Sequence, residues 1–284
     1  MDKPRTHALT AADGVDLFVT DAGPLDGEVV MLVHGWPDTH AVWRTQIGPL
    51  TDAGYRVIAH DQRGFGRSGR PPEVSDYHVF NAMADLGSIM DALDIADAHL
   101  VGHDWGAPPC WLAGMFSPER VRSLTAVSVG HPLAFRDMSI EQRQRSFYML
   151  LFQFVDVAET WLSADDWANM RMLIGETGDW PERREALSKP GALTSSLNWY
   201  RANMSPESYI TEPPELPPVT VPTLGVIGEK DWALLPRQMI DSEKYMEATW
   251  RYEVIADAHH WLQTEASDAF NLLLIEWLGS QRSV

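Results

Sequence analysis

The sequence predicts a mostly parallel β-sheet covered by helices on both faces and interrupted by an inserted set of helices. Three observations carry that expectation. Short runs rich in valine and isoleucine alternate with longer segments of helical pattern, which is how strands and crossover helices of a parallel sheet are written. From 133 to about 217 the runs stop, and only helical segments with aromatic and methionine faces remain. The stretch "TEPPELPPVTVP", residues 211 to 222, then places five prolines where no helix continues, and it reads as a linker back into the sheet domain. The 284 residues therefore divide into a first core part, 1–132, a helical lid, 133–217, and a second core part, 218–284, a length that suits one large domain carrying an insertion.

Composition narrows the function. With 45% hydrophobic and 22% charged residues the chain is of ordinary globular make-up. A formal charge of -18 opposes DNA or RNA, whose binding needs a basic surface to release counterions. The start, "MDKPRTHALTAADG", has no apolar stretch able to act as a signal peptide, and no run approaches membrane length, so a cytoplasmic location is expected and no membrane partner. Cys110 is the one cysteine; it has no disulfide partner and no second thiolate for a metal, and it reads as core. No metal or cofactor is expected. Oligomeric state, a homodimer included, is left open.

In such a sheet ligands bind beyond the carboxyl ends of the strands, so the residues after each run are the informative ones. After "VVMLVH" from Val29 come Gly35, Trp36 and Pro37; a glycine here lets backbone approach a ligand, and His34 reads as a structural hydrogen-bonder. After "RVIAH" from Arg56, the loop "HDQRGFGRSGRP" fits neither a P-loop nor a dinucleotide fingerprint and reads as a salt-bridged structural turn. After "AHLVGH" from Ala98 stands Asp104, flanked by Gly102 and Gly106 in the pattern G-x-D-x-G. That is a nucleophile turn with its usual serine replaced by a carboxylate. His103 before it reads as buried beneath the turn. After "LTAVSV" from Leu124 there is no carboxylate, only Ser128 and His131.

After "TLGVIG" from Thr223 comes Asp231, and after "RYEVIA" from Arg251 come Asp257, His259 and His260. The order Asp104, Asp231, His260 has the nucleophile, acid, histidine sequence of an α/β-hydrolase triad. His259 is the rival of His260. Asp257 rivals Asp231 but shares a loop with the histidine and is poorly placed to reach its far ring nitrogen.

The segments "HGWP", "DQRGFGRS", "GHDWGA", "SPERV", "LNWYR" and "HHWLQ", spread over roughly residues 29 to 265, resemble the motifs of the epoxide hydrolase family of α/β-hydrolases. That resemblance implies Asp104 as nucleophile, His260 as base and Asp231 as its orienting acid. It also implies a cis peptide before Pro37 and an oxyanion hole formed by the backbone N–H groups of Trp36 and Trp105, with Trp36, Pro37, Trp105, Tyr148 and Tyr200 contacting substrate. Tyr200, through "NWYR", and Tyr148, by its distance from "FQ", match two lid tyrosines that point at the epoxide oxygen. His259 departs from the family, which has glycine there.

An aspartate at the turn makes chemical sense in this setting. Serine must lose a proton before it attacks, whereas a carboxyl group of ordinary pKa near ~4 is already ionised at neutral pH. It can displace a leaving group from saturated carbon and become an ester, which a histidine-activated water then cleaves. An opening epoxide releases a basic alkoxide that wants a proton, and a phenol can give one. The expected substrates are therefore a small hydrophobic epoxide and water. A haloalkane or haloacid dehalogenase would share the triad, with Trp105 serving its halide. A non-catalytic binding protein on the same fold is the other alternative.

Overall fold

The computed structural model describes residues 3–136, 139–175 and 179–281. Eight strands form one sheet: β1 (Arg5–Thr10), β2 (Asp16–Ala22), β3 (Val29–Val33), β4 (Arg56–His60), β5 (Ala98–His103), β6 (Val121–Val127), β7 (Thr223–Gly228) and β8 (Trp250–Ile255), in the order β1-β2-β4-β3-β5-β6-β7-β8. From β4 to β8 all neighbours are parallel, while β1 and β2 join as antiparallel strands at one edge. The expected sheet class is thus present, with two further strands at its start. Those two lack a continuous apolar run: β1, "RTHALT", alternates exposed with part-buried residues and lies at the edge.

The central strands are apolar on both sides because both faces are covered. Val30 and Leu32 of β3 enter one core with the helices Arg44–Asp52 and Ser267–Ser280, while Met31 and Val33 enter a second with the helices Val79–Ala92 and Ala107–Phe116. Burying one such side chain contributes about 1.5–3 kcal/mol, so the alternation is strongly enforced.

Between β6 and β7 the described residues contain helices and no strand, from Pro132–Arg136 to the short turn Pro206–Tyr209. Their apolar faces pack into the same core as the sheet. Phe152, Leu162, Met170, Leu197 and Trp199 are buried together with Val101, Val127 and Val226. Of the tryptophans noted in this stretch, Trp199 is fully buried, and Trp161, Trp167 and Trp180 pack partly buried against that core. Helix Ala192–Asn203 is tied down by polar contacts as well: Ser195 Oγ donates to the Gly64 carbonyl at 2.7 Å and Trp199 Nε1 to the Arg63 carbonyl at 3.1 Å. The loop after β4 is held in turn by Arg63, whose guanidinium meets Asp85 at 2.8 and 2.6 Å.

Candidate active site

Asp104 sits at the end of β5 with φ at +49°, the left-handed region that an L-residue enters only when its surroundings impose it. The neighbours impose it here. A Cβ at Gly102 would strike the Gly106 carbonyl, one at Gly106 would strike the carbonyls of Val33 and His34, and one at Gly35 would strike the Asp104 side chain. The helix Ala107–Phe116 starts directly behind, with Pro108 and Pro109 in a first turn whose N–H groups need no helical acceptor. Its N-terminus, the positive end of the helix dipole, lies only three residues past Asp104.

One Asp104 oxygen is fixed from the first loop. The Trp36 backbone N–H donates to Asp104 Oδ1 at 2.7 Å, and the Trp36–Pro37 peptide is cis. The other oxygen, Oδ2, lies 3.6 Å from His260 Nε2. On its far side His260 Nδ1 meets Asp231 Oδ2 at 2.9 Å, and Asp231 Oδ1 accepts the backbone N–H groups of Ala233 and Leu234, both at 2.9 Å. His260 and Asp231 are buried, and Asp104 is 14% exposed. Burial alone would push the His260 pKa down, but the Asp231 charge, joined by Asp104, raises it to about 10. Burial likewise opposes an ionised Asp231, yet the His260 charge and its hydrogen bonds hold that carboxyl below the usual range.

The rivals fall elsewhere. His259 is half exposed and pairs with Glu265 at 3.0 Å, while Asp257 is exposed and pairs with Lys230 at 2.6 Å. His34 is buried, with Nδ1 2.8 Å from the Gly35 carbonyl and Nε2 accepting the Gln62 N–H at 3.0 Å. His103 is buried beneath the turn, its pKa lowered to about 4 by burial, and its Nε2 lies 2.9 Å from the His260 carbonyl oxygen.

Tyr148 and Tyr200 come from the helices Phe147–Leu151 and Ala192–Asn203 and meet above the turn with ring centroids 5.9 Å apart. The Tyr200 ring is caged by Trp105 at 5.1 Å, Trp36 at 5.7 Å and Phe152 at 5.0 Å. Burial, reinforced by each phenol's nearness to the Asp104 charge, raises the pKa of both, and so keeps both protonated. A cavity of ≈ 380 Å³ opens beside Asp104, Trp105 and Tyr148. Its walls are mostly apolar, with Leu112, Phe135, Met149 and Met204 among them. Among the described residues no cluster of three or more His, Cys, Asp or Glu side chains suits a metal ion, and no helix is long and apolar enough to cross a membrane.

Three residues around this site carry no motif that sequence reasoning could pick out. Ser128, at φ +66° after β6, donates from Oγ to the His260 carbonyl at 3.1 Å. Asp38 and Arg183 form a buried ion pair at 2.6 Å beside Trp261.

A sheet of this topology, with a carboxylate at the strand-to-helix turn and a histidine–aspartate pair reaching it from β8 and β7, is the architecture of an α/β hydrolase. The family model described as alpha/beta hydrolase fold matches residues 28–267, and the chain belongs to that family. It is 32% identical over 314 residues to Epoxide hydrolase A of Mycobacterium tuberculosis, covering 96% of this chain and 97% of that protein. It is 31% identical over 280 residues to the AB hydrolase superfamily protein YfhM of Bacillus subtilis, covering 95% and 96%. The crystal structure of an epoxide hydrolase from Bacillus megaterium in complex with an inhibitor superposes with a TM-score of 0.86 at 25% identity, over 97% of this chain and all of that one.

Proposed function

We propose that the protein converts a hydrophobic epoxide and water into a vicinal diol, with Asp104 as nucleophile, His260 and Asp231 as the water-activating pair, and residues 133–217 as the lid that supplies the acid. The single observation that carries this reading is the pair of buried, protonated phenols of Tyr148 and Tyr200 facing an Asp104 carboxylate already held by the Trp36 N–H. Relatives that bear the name epoxide hydrolase over nearly their whole length support it.

In the first step Asp104 attacks an epoxide carbon, the C–O bond breaks, and a tyrosine proton passes to the leaving oxygen. The ester carries no charge, so His260 loses one of the two carboxylates that keep its pKa high. Its proton restores the phenol, and it becomes neutral. In the second step neutral His260 takes a proton from water, and the hydroxide adds to the ester carbonyl. The N–H groups of Trp36 and Trp105 receive the oxyanion, and each such donor is worth about 3–4 kcal/mol of barrier. Collapse expels the diol oxygen, which takes the proton of the newly formed carboxylic acid; the ionised Asp104 and the imidazolium return. The apolar cavity suits a hydrophobic substrate.

One turnover in heavy-oxygen water, followed by peptide mass analysis, tests the reading. Label is expected in the peptide carrying Asp104. Label confined to the diol would mean direct attack by water.

A further inference from the structure

The loop that carries His260 is held from outside the triad, and part of that hold comes from the helical insertion. Arg183 lies in the helix Trp180–Leu187, yet only 3% of it is exposed. Its Nε donates to Asp38 Oδ1 at 2.6 Å, and its guanidinium stacks over the Trp261 ring at 4.3 Å. The second oxygen of the same carboxylate, Asp38 Oδ2, accepts the Trp261 indole N–H at 2.7 Å. Trp261 follows His260 directly, and the two rings meet edge to face at 5.0 Å and 90°. On the sheet side, the His260 carbonyl lies 2.9 Å from His103 Nε2 and accepts from Ser128 Oγ at 3.1 Å.

Asp38 is buried at 3% exposure, and an uncompensated buried carboxylate is costly. Without Arg183 it would have to take up its proton, draw in water or move, and each of these disturbs the acceptor that fixes the Trp261 indole. The backbone of Trp261 is continuous with that of His260, so a slack indole is a slack imidazole. The requirement is not equal for the two chemical steps. Ester formation needs Asp104 and the phenols in place, and Asp104 is held by the Trp36 N–H and the glycines packed around it rather than by Arg183 or the Trp261 indole. Ester cleavage needs His260 Nε2 aimed at a water beside the ester carbonyl, and misplacement of a base by about 1 Å can cost on the order of a hundredfold.

We infer that Arg183 is a positioning residue for the hydrolytic half-reaction: through Asp38 and the Trp261 indole it ties the helical insertion to the orientation of His260. This rests on the proposed two-step reading. The ion pair and the stack are both required, since Arg183 bridges carboxylate and indole at once, so lysine, a point charge without a planar face, is an incomplete replacement.

Single-turnover kinetics with a styrene-type epoxide, following tryptophan fluorescence for ester formation and quenched-flow mass analysis of the Asp104 peptide for ester decay, separate the steps. For Arg183→Met and Trp261→Phe the expected result is ester formation within about threefold of the parent and ester decay slowed tenfold or more, so that the alkylated protein accumulates. Arg183→Lys should fall between. The Trp261→Phe variant keeps an aromatic ring on the guanidinium and removes one N–H, so it remains informative if Arg183→Met does not fold. Equal slowing of both steps, or unchanged decay in a variant whose Tm has fallen, would reduce Arg183 to a stabilising contact and overturn the inference. Absence of any ester on Asp104 in the parent protein would instead sink the two-step reading itself.

Discussion

The central residue is His260, because its charge state differs between the two halves of the proposed cycle. Its pKa is raised to about 10 in the folded protein against an ordinary value near ~6.5. A raised histidine adds stability that is complete below about pH 6.5 and is lost as pH climbs toward about 10, so this pairing favours the folded state across the neutral range. Replacing Asp104 by Asn removes one of the two carboxylates that hold the proton. The expected outcome is a His260 titration, followed by NMR of the imidazole nitrogens, at least about one unit below that of the parent; an unshifted titration would mean that Asp231 alone sets the charge. Tyr200 offers a second test. Tyr200→Phe keeps the ring among Trp36, Trp105 and Phe152 and removes only the hydroxyl. Ester formation should slow by roughly tenfold to a hundredfold, as loss of a positioned acid usually does, with ester decay much less affected. Unchanged alkylation kinetics would remove Tyr200 from the acid role.

At the scale of elements, the turn after β5 is where sequence and geometry constrain each other most. Gly106 packs with no room for a methyl group between it and the β3 loop. Gly106→Ala should therefore cost about 1–3 kcal/mol in urea unfolding, the usual range for overpacking; an unchanged midpoint would show slack in the loop. The same scale explains what could be read in advance. Strands β3 to β7 announce themselves because they are almost wholly buried and rich in apolar residues, and β8, a part-buried edge strand, still shows a short valine–isoleucine run, so the residues that follow can be ranked from sequence. Strand β1 is a polar-patterned edge piece, and β2 beside it, though buried, interrupts its apolar residues with Thr20 and Asp21, so neither leaves such a trace. Tyr200 was found through a motif, not through its position in a helix. Asp38 and Arg183 carry no signal in the sequence, since 145 residues separate them and only folding joins them, and Ser128, though it follows a strand, gives no hint there of its bond to the His260 carbonyl.

For the whole molecule, the helical insertion shares an apolar core with one face of the sheet, while the other face of the sheet has a second core of its own. Heat should therefore melt both together. Differential scanning calorimetry is expected to give one transition with calorimetric and van't Hoff enthalpies in agreement; two resolved transitions would mean that the insertion is an independent folding unit.

Cys110 lies in the helix that begins at the elbow, fully buried, with burial pushing its thiol pKa far up. Protonated and shielded, it is invisible to maleimides and disulfide reagents for as long as that helix stays docked. Every labelling event then timestamps an excursion of the element behind Asp104 away from the sheet. The chain thus comes with a chemical clock for the breathing of the turn that carries Asp104, readable without introducing any probe.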